Sequence, residues 1–313
     1  MLWLLSEIQL RDPFILESTA GEFVLFGTTD TNLWGGPGTG FNCYTSTDLE
    51  TWEGPIEAFR PPKGFWGDTQ FWAPEVHAYN GRFYMLATFA CSGPEKPYQR
   101  GTCVLIADDP TGPFRPWSDG PVTPHELPCL DGTLYLDEDR VPWIVYSRGA
   151  EGVPGKLEPL ADGEMYARKL SIDLREPIGS PVLLFKSSAA AWSKPMRLPG
   201  GLKPPPELNL ADAPLFTDGA YLFKNKSGQL QMLWSSFGNS GYAMGVATSD
   251  SGTVLGPWTQ ATEPLWPANG GHGMPLRTSM GKDFLVFHWP NQSPDERAKL
   301  VAVRVTETGV ELI

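Results

Sequence analysis

Apolar residues recur along this chain in short runs or strict alternation, and almost never at helical spacing. Stretches such as "GEFVLFGTT" (Gly21–Thr29), "GRFYMLATF" (Gly81–Phe89), "VPWIVYS" (Val141–Ser147), "GQLQMLWSSF" (Gly228–Phe237) and "GKDFLVFHW" (Gly281–Trp289) are rich in β-branched and aromatic residues. Each starts at a turn, usually on glycine, and each follows an earlier short apolar run. That pattern predicts antiparallel hairpins and an all-β fold.

Ahead of each hairpin stands a polar residue at a strand mouth: Asp12 in "RDPFIL", Glu75 in "WAPEVH", Asp131 in "LDGTLY", Asp218 in "TDGAYLF" and His272 in "GHGMPL". Their separations are 63, 56, 87 and 54 residues. Recurrence of a sheet-sized unit at such a period predicts a β-propeller: a single domain over residues 1–313 with five four-stranded antiparallel blades. The long separation marks an insertion, supplied by the Pro-rich stretch Leu198–Pro214. "TGPF" (Thr111–Phe114) and "LGPW" (Leu255–Trp258) form a minor repeat at matching places in two blades. Pro13 cannot donate to a ladder, which places it at a strand start, edge or bulge. The innermost strands of a propeller line its axis, so their mouths bring distant polar residues into one funnel.

The chain carries 36 acidic against 24 basic residues, a net charge of −12, which argues against nucleic-acid or anionic-membrane partners. The apolar run in "MLWLLSEIQLRD" is too short for a signal-peptide core and lacks a basic flank, so the chain as given is expected in the cytoplasm, or outside the cell had a leader been removed. Cys43, Cys91, Cys103 and Cys129 show no zinc or redox spacing; buried thiols are expected, with one disulfide as the alternative.

Converging carboxylates suit glycoside hydrolysis. In an inverting mechanism one carboxylate activates water while a protonated carboxyl, held up by its surroundings, donates to the leaving oxygen. Here the chain resembles glycoside hydrolase family 43, the five-bladed inverting arabinofuranosidases and xylosidases. The resemblance runs from "RDPF" to "FHWPN" through "STDLETW", "FWAPEVH", "LDGTLYLDEDRVPW", "TDGAYLFKNKSGQLQMLWSS", "GPW" and "GGHGM". It implies that Asp12 matches the general base and Asp131 the residue that tunes and orients the acid. His272 matches an axial histidine that lies beside calcium or water in many members. No cofactor is required; a structural calcium on the axis is the one candidate ion. The departure is at the proton donor, where the family's Glu-Gly-Pro or Glu-Ala-Pro becomes Asp218-Gly219-Ala220. Asp218 is the first candidate donor, Glu158 and Glu164 are alternatives, and Glu207 ranks below them.

The expected partner is an oligo- or polysaccharide. Trp34, Phe41 and Trp72 are candidate stacking residues and Arg148 a candidate hydroxyl binder, although core packing and an ion pair explain such residues equally well. The "GGPGTG" loop between Trp34 and Phe41 is expected to form a rim. Glu75 is expected to hold backbone amides, His77 and His125 to be ordinary loop or surface residues, and His288 to be a structural hydrogen bonder. Asp137, Glu138 and Asp139 suit a solvated hairpin tip. The functional expectation is an exo-acting inverting glycosidase that releases L-arabinofuranose or a related sugar from plant-type side chains. A β-xylosidase, a β-galactosidase acting on arabinogalactan and a non-catalytic sugar-binding propeller are the alternatives.

Overall fold

The computed structural model describes residues 1–92, 100–152, 156–197 and 209–313. Five antiparallel sheets surround one axis, as the hairpin spacing predicted. Their innermost strands are Arg11–Glu17, Thr69–Tyr79, Cys129–Leu136, Asp218–Lys224 and Gly271–Arg277. Each pairs with the next strand in sequence: Phe23–Thr28, Arg82–Ala90, Pro142–Arg148, Leu230–Gly238 and Asp283–Trp289. Four blades have four strands. The first has five, because Leu2–Leu4 adds to its outer edge by pairing with Thr51–Phe59. The ring therefore closes without a shared strand. A single bridge between Gln9 and Arg297, the Arg297 Nε to Ser6 carbonyl bond (3.0 Å) and the Glu17–Ser279 contacts clasp the first blade to the fifth.

Aromatic rings fill the spaces between blades. Phe41, Phe59, Phe71 and Phe89 meet at centroid distances of 4.8–6.3 Å between the first two blades. Trp234 packs between Phe185 and Trp192 in the third and fourth. Fully burying such a side chain stabilises the fold by about 1.5–3 kcal/mol. Phe41 is 0% exposed, which corrects its place among the stacking candidates: the ring is core. Burial pushes the Cys43, Cys103 and Cys129 thiols up to about 12, so these three are inert packing groups. Residues 198–208 of the Pro-rich insertion, Glu207 among them, lie outside the described residues. The insertion's end runs back along the third blade, where Leu210 bridges Glu151 and Leu215 bridges Asp162. Among the described residues no helix is long and apolar enough to cross a membrane.

The inner strands share one local device. Each ladder breaks register near its start, between Arg11 and Phe14, Trp72 and Glu75, Leu130 and Thr133, Asp218 and Tyr221, and Gly271 and Met274. A residue with positive φ occupies each break: Asp12 (51°), Ala73 (47°), Asp131 (54°), Gly219 (48°) and His272 (51°). A bulge of this kind re-aims a side chain, here toward the axis. It also admits Pro13, which needs no ladder partner there. The repeat thus runs through Ala73 and Gly219, which corrects the expected register at Glu75 by two residues and at Asp218 by one.

Candidate active site

The five bulges are tied from blade to blade. The bulge N–H of Ala73 donates to Thr28 Oγ1 (2.8 Å), that of Asp131 to Thr88 Oγ1 (2.9 Å) and that of His272 to Ser235 Oγ (2.8 Å). Each acceptor sits on the second strand of the preceding blade, opposite the residue before that blade's own bulge. In the fifth blade this place belongs to His288, whose Nδ1 accepts the Asp12 N–H at 3.2 Å. The third blade offers Ser147 there, but among the described residues its buried hydroxyl finds no partner, and the Gly219 N–H reaches Asp131 Oδ2 instead, at 3.4 Å.

This scaffold brings Asp12, Asp131, Asp218 and His272 together. Asp12 Oδ2 accepts from the Thr28 hydroxyl at 2.7 Å, and Asp12 Oδ1 lies 3.2 Å from His272 Nδ1. The same nitrogen is 3.6 Å from Asp131 Oδ2. Donor atoms of Asp131, Asp218 and His272 lie within 4.8 Å of one another. Asp218, in the row just before the bulges, accepts from the Tyr242 hydroxyl through Oδ2 at 2.8 Å. Gly219 is required beside it, since a Cβ there would stand 2.7 Å from the His272 ring.

The charges divide the carboxyls. Burial pushes Asp12 up, but the His272 charge, the His272 hydrogen bond and the Arg11 charge outweigh it and hold the carboxyl well below its ordinary range. Asp131 is raised to about 6, chiefly by burial and against a hydrogen bond shared with Asp218. Asp218 is raised well above its ordinary value by burial, then by the Asp131 charge and their shared hydrogen bond. His272 is raised, because attraction to Asp12 exceeds the opposing effect of burial. One anionic carboxylate and one protonated carboxyl at the mouth of one axis can respectively take a proton from water and give one to a leaving group.

Glu164 does not share these properties. Burial raises it, yet Lys186 (3.1 Å), Tyr166 (2.9 Å) and Arg148 (3.4 Å) reverse the effect and hold it below its ordinary value. It is an ionised, saturated anchor, and Arg148 is committed to it. Glu158 is exposed. Trp34, 49% exposed, and Trp72, nearly buried, meet edge to face at 5.8 Å. Arg11 lies over the Trp34 ring at 5.2 Å. The Asp30 carboxylate binds the amides of Asn32, Thr39 and Gly40, tying down both ends of the glycine-rich rim. A recess of about 220 Å³ is lined by Arg11, Thr28, Asp30, Leu33, Ser293 and Glu296, and none of Asp12, Asp131, Asp218 and His272 lines it.

Glu75 is buried below the bulge ring with His77 Nε2 at 3.2 Å, a side-chain partner rather than the expected amides. His125 approaches the Pro121 carbonyl at 3.3 Å. Three residues escaped the sequence reading: Thr28, Tyr242, and Arg100, which forms a buried two-toothed pair with Glu151 (2.7 and 2.6 Å) and lies over Trp72 at 5.3 Å. For Thr28 the signal was available, since Thr28, Thr88, Ser147 and Ser235 stand at or near the ends of equivalent strands.

The His272 cluster offers one nitrogen and two carboxylates, whereas calcium takes six to eight oxygens. With the imidazole already paired to Asp12, the set suits at most a largely hydrated ion at its edge, and none of the chemistry below depends on one.

Comparison with known proteins agrees with this architecture. The family described as "Glycosyl hydrolases family 43" matches residues 5–306. A solved structure described as an endo-arabinase from Bacteroides thetaiotaomicron VPI-5482 is 36% identical, with 97% of each chain covered and a TM-score of 0.82. An endo-1,4-beta-xylanase structure from the same organism shares the fold at 22% identity, covering 100% of this chain and 97% of its own, with a TM-score of 0.73. A Xylosidase/arabinosidase from Butyrivibrio fibrisolvens is 27% identical over 117 residues, which are 37% of this chain and 20% of that protein.

Proposed function

This chain belongs to glycosyl hydrolase family 43 and is a glycoside hydrolase, and from that premise we propose that it is an inverting enzyme acting on L-arabinofuranose-containing glycans. Asp12 is the base that deprotonates water, Asp218 the acid that protonates the leaving oxygen, and Asp131 the neighbour that keeps Asp218 protonated. The observation that carries this reading is the cluster itself: Asp12 is held between the Thr28 hydroxyl and His272 Nδ1, and Asp218 lies against Asp131 and the Tyr242 hydroxyl, surroundings that push Asp12 down and Asp218 up. It favours catalysis over a sugar-binding propeller, which has no use for a half-buried carboxyl held protonated. Asp218 is one methylene shorter than glutamate, and the Tyr242 hydroxyl steadies it.

The arabinose assignment rests on the 36% identical relative described as an endo-arabinase. Exo action is part of the proposal on one ground: the recess at Arg11 and Thr28, which the Asp12 carboxylate borders only through its Thr28 bond, has roughly 220 Å³, below the range of drug-sized pockets and room for one sugar. Trp34, exposed on the rim, offers a face for stacking. The relative's description favours internal cleavage as a second reading. Incubation with linear and branched arabinan, beside a panel of aryl glycosides, separates the two. Free L-arabinose from the first minutes is expected. A ladder of oligosaccharides would favour internal cleavage, and release of xylose or galactose alone would overturn the arabinose assignment.

Asp131→Asn is expected to move the alkaline limb of the pH–rate profile down, because Asp218 loses a negative neighbour and ionises at lower pH. Stability gives a second readout. Between its unfolded value near 3.8 and its folded value of about 6, Asp131 keeps its proton in the native state and loses it in the unfolded one. Native stability therefore falls as pH rises through that window. Asparagine has no such penalty, so the variant should gain a few degrees in Tm over wild type at pH 7 and much less at pH 4. An unmoved alkaline limb would show that Asp131 does not tune the acid.

A further inference from the structure

We propose that Tyr242 and His288 form a stacked strut that fixes the proton donor relative to the base, each ring holding one of the two reacting residues. This rests on the roles given above to Asp12 and Asp218. The two rings lie 5.6 Å apart, 13° from parallel, and come from different blades. Tyr242 belongs to Gly241–Ser249 of the fourth blade and His288 to Asp283–Trp289 of the fifth. The Tyr242 hydroxyl donates to Asp218 Oδ2. His288 Nδ1 accepts the Asp12 N–H. Acid and base sit on the fourth and first blades with the fifth between them, and the stack spans that gap.

The direction of each bond follows from the neighbours. Asn291 Oδ1 accepts from Arg11 Nη2 at 2.7 Å, so the Asn291 oxygen is the atom that faces His288 Nε2, 3.0 Å away. Nε2 must then carry the imidazole proton, which leaves Nδ1 as the acceptor for Asp12. Burial and the Arg11 charge, joined by the His272 charge, outweigh the attraction of Asp12 and lower His288, which favours the neutral ring that role requires. The charged groups around the strut are Arg11, Asp12, Asp131, Asp218 and His272.

Two sequence choices make room for the stack. At this place in the first, second and fourth blades a Thr or Ser hydroxyl accepts the bulge N–H; only a ring here can also meet Tyr242. Gly271, the residue before the fifth bulge, leaves the space that Tyr242 fills, since a Cβ there would stand 2.7 Å from Tyr242 Cε1. Phe237 closes the far side of Tyr242 at 5.8 Å. Both are positioning residues: they act through Asp218 and Asp12. Inversion needs the two carboxyls roughly 6.5–9.5 Å apart, with a water between base and sugar. Misplacement by about an ångström costs on the order of 10²-fold.

The test uses Tyr242→Phe, which keeps the ring and removes the hydroxyl, His288→Thr, which keeps a hydroxyl acceptor and removes the ring, and their combination. Tyr242→Phe should lower kcat roughly 10²-fold with KM changed less than about threefold. It should also move the alkaline limb up, because the lost O–H bond favoured ionised Asp218. The double variant should be less impaired than the product of the single losses, since either change alone breaks the strut. A wild-type kcat and alkaline limb in Tyr242→Phe would overturn the proposal, as would strictly multiplicative losses. Tyr242→Phe preserves volume and keeps the test decisive should His288→Thr not fold. Asp12→Asn and Asp218→Ala run alongside. If they inactivate the enzyme while Tyr242→Phe does not, the strut alone is wrong; if they retain activity, the assigned roles of Asp12 and Asp218 are wrong.

Discussion

Asp12→Asn should leave the propeller folded and lower kcat by roughly 10²–10⁴-fold on every substrate, whatever its leaving group. The fold should survive because Asp12 sits at φ 51°, a conformation that asparagine tolerates as well as aspartate, and because its anchor to His288 runs through the backbone N–H. The chemistry should fail because a carboxamide cannot take a proton from water. The ordinary penalty for burying an aspartate is absent here: the His272 charge and the surrounding hydrogen bonds more than offset it. The base should therefore stay ionised well into acid, and the wild-type acidic limb should lie low. Activity within a few-fold of wild type in Asp12→Asn, with an unchanged circular dichroism spectrum, would remove Asp12 as the base.

Asp218→Ala should show a different signature. Natural glycosides have poor leaving groups that need a proton, and on these the loss should approach the full roughly 10²–10⁴-fold contribution of a general acid. Aryl glycosides with acidic phenols need little protonation, so their loss should shrink steadily as the phenol pKa falls. The alkaline limb should vanish from the profile of an activated substrate, since the group that gave rise to it has gone. Glu164→Gln should reproduce neither effect, because Glu164 is already ionised by Lys186, Tyr166 and Arg148. Leaving-group dependence in Glu164→Gln or Glu158→Gln, and none in Asp218→Ala, would move the donor to the third blade.

Much of this architecture is legible in the chain. Hairpins announce themselves through turn glycines and apolar runs, and five polar strand mouths announce the blades. The exact register is harder to read, because a bulge adds a residue without altering composition. Ala73 holds the position in the second blade that Asp12 holds in the first, yet alanine carries no mark of it, and Glu75 draws the eye instead. In the fourth blade the left-handed position falls to Gly219, and the acid moves back one residue to Asp218. Phe41 reads as a rim aromatic by its nearness to the glycine-rich loop, but the strand that begins there turns its ring into the core. Tyr242, His288 and Arg100 act through partners 24 to 276 residues away, a separation that no local pattern encodes.

The most direct test of the assigned roles is the configuration of the sugar at release. Time-resolved proton NMR, begun within seconds of mixing enzyme with the substrate that the panel selects, reads the first anomer before mutarotation. With Asp12 activating a water on the face opposite the leaving group, that anomer should be inverted relative to the substrate. First release of the retained anomer would mean a covalent sugar–enzyme intermediate, and would contradict the roles of Asp12 and Asp218 together.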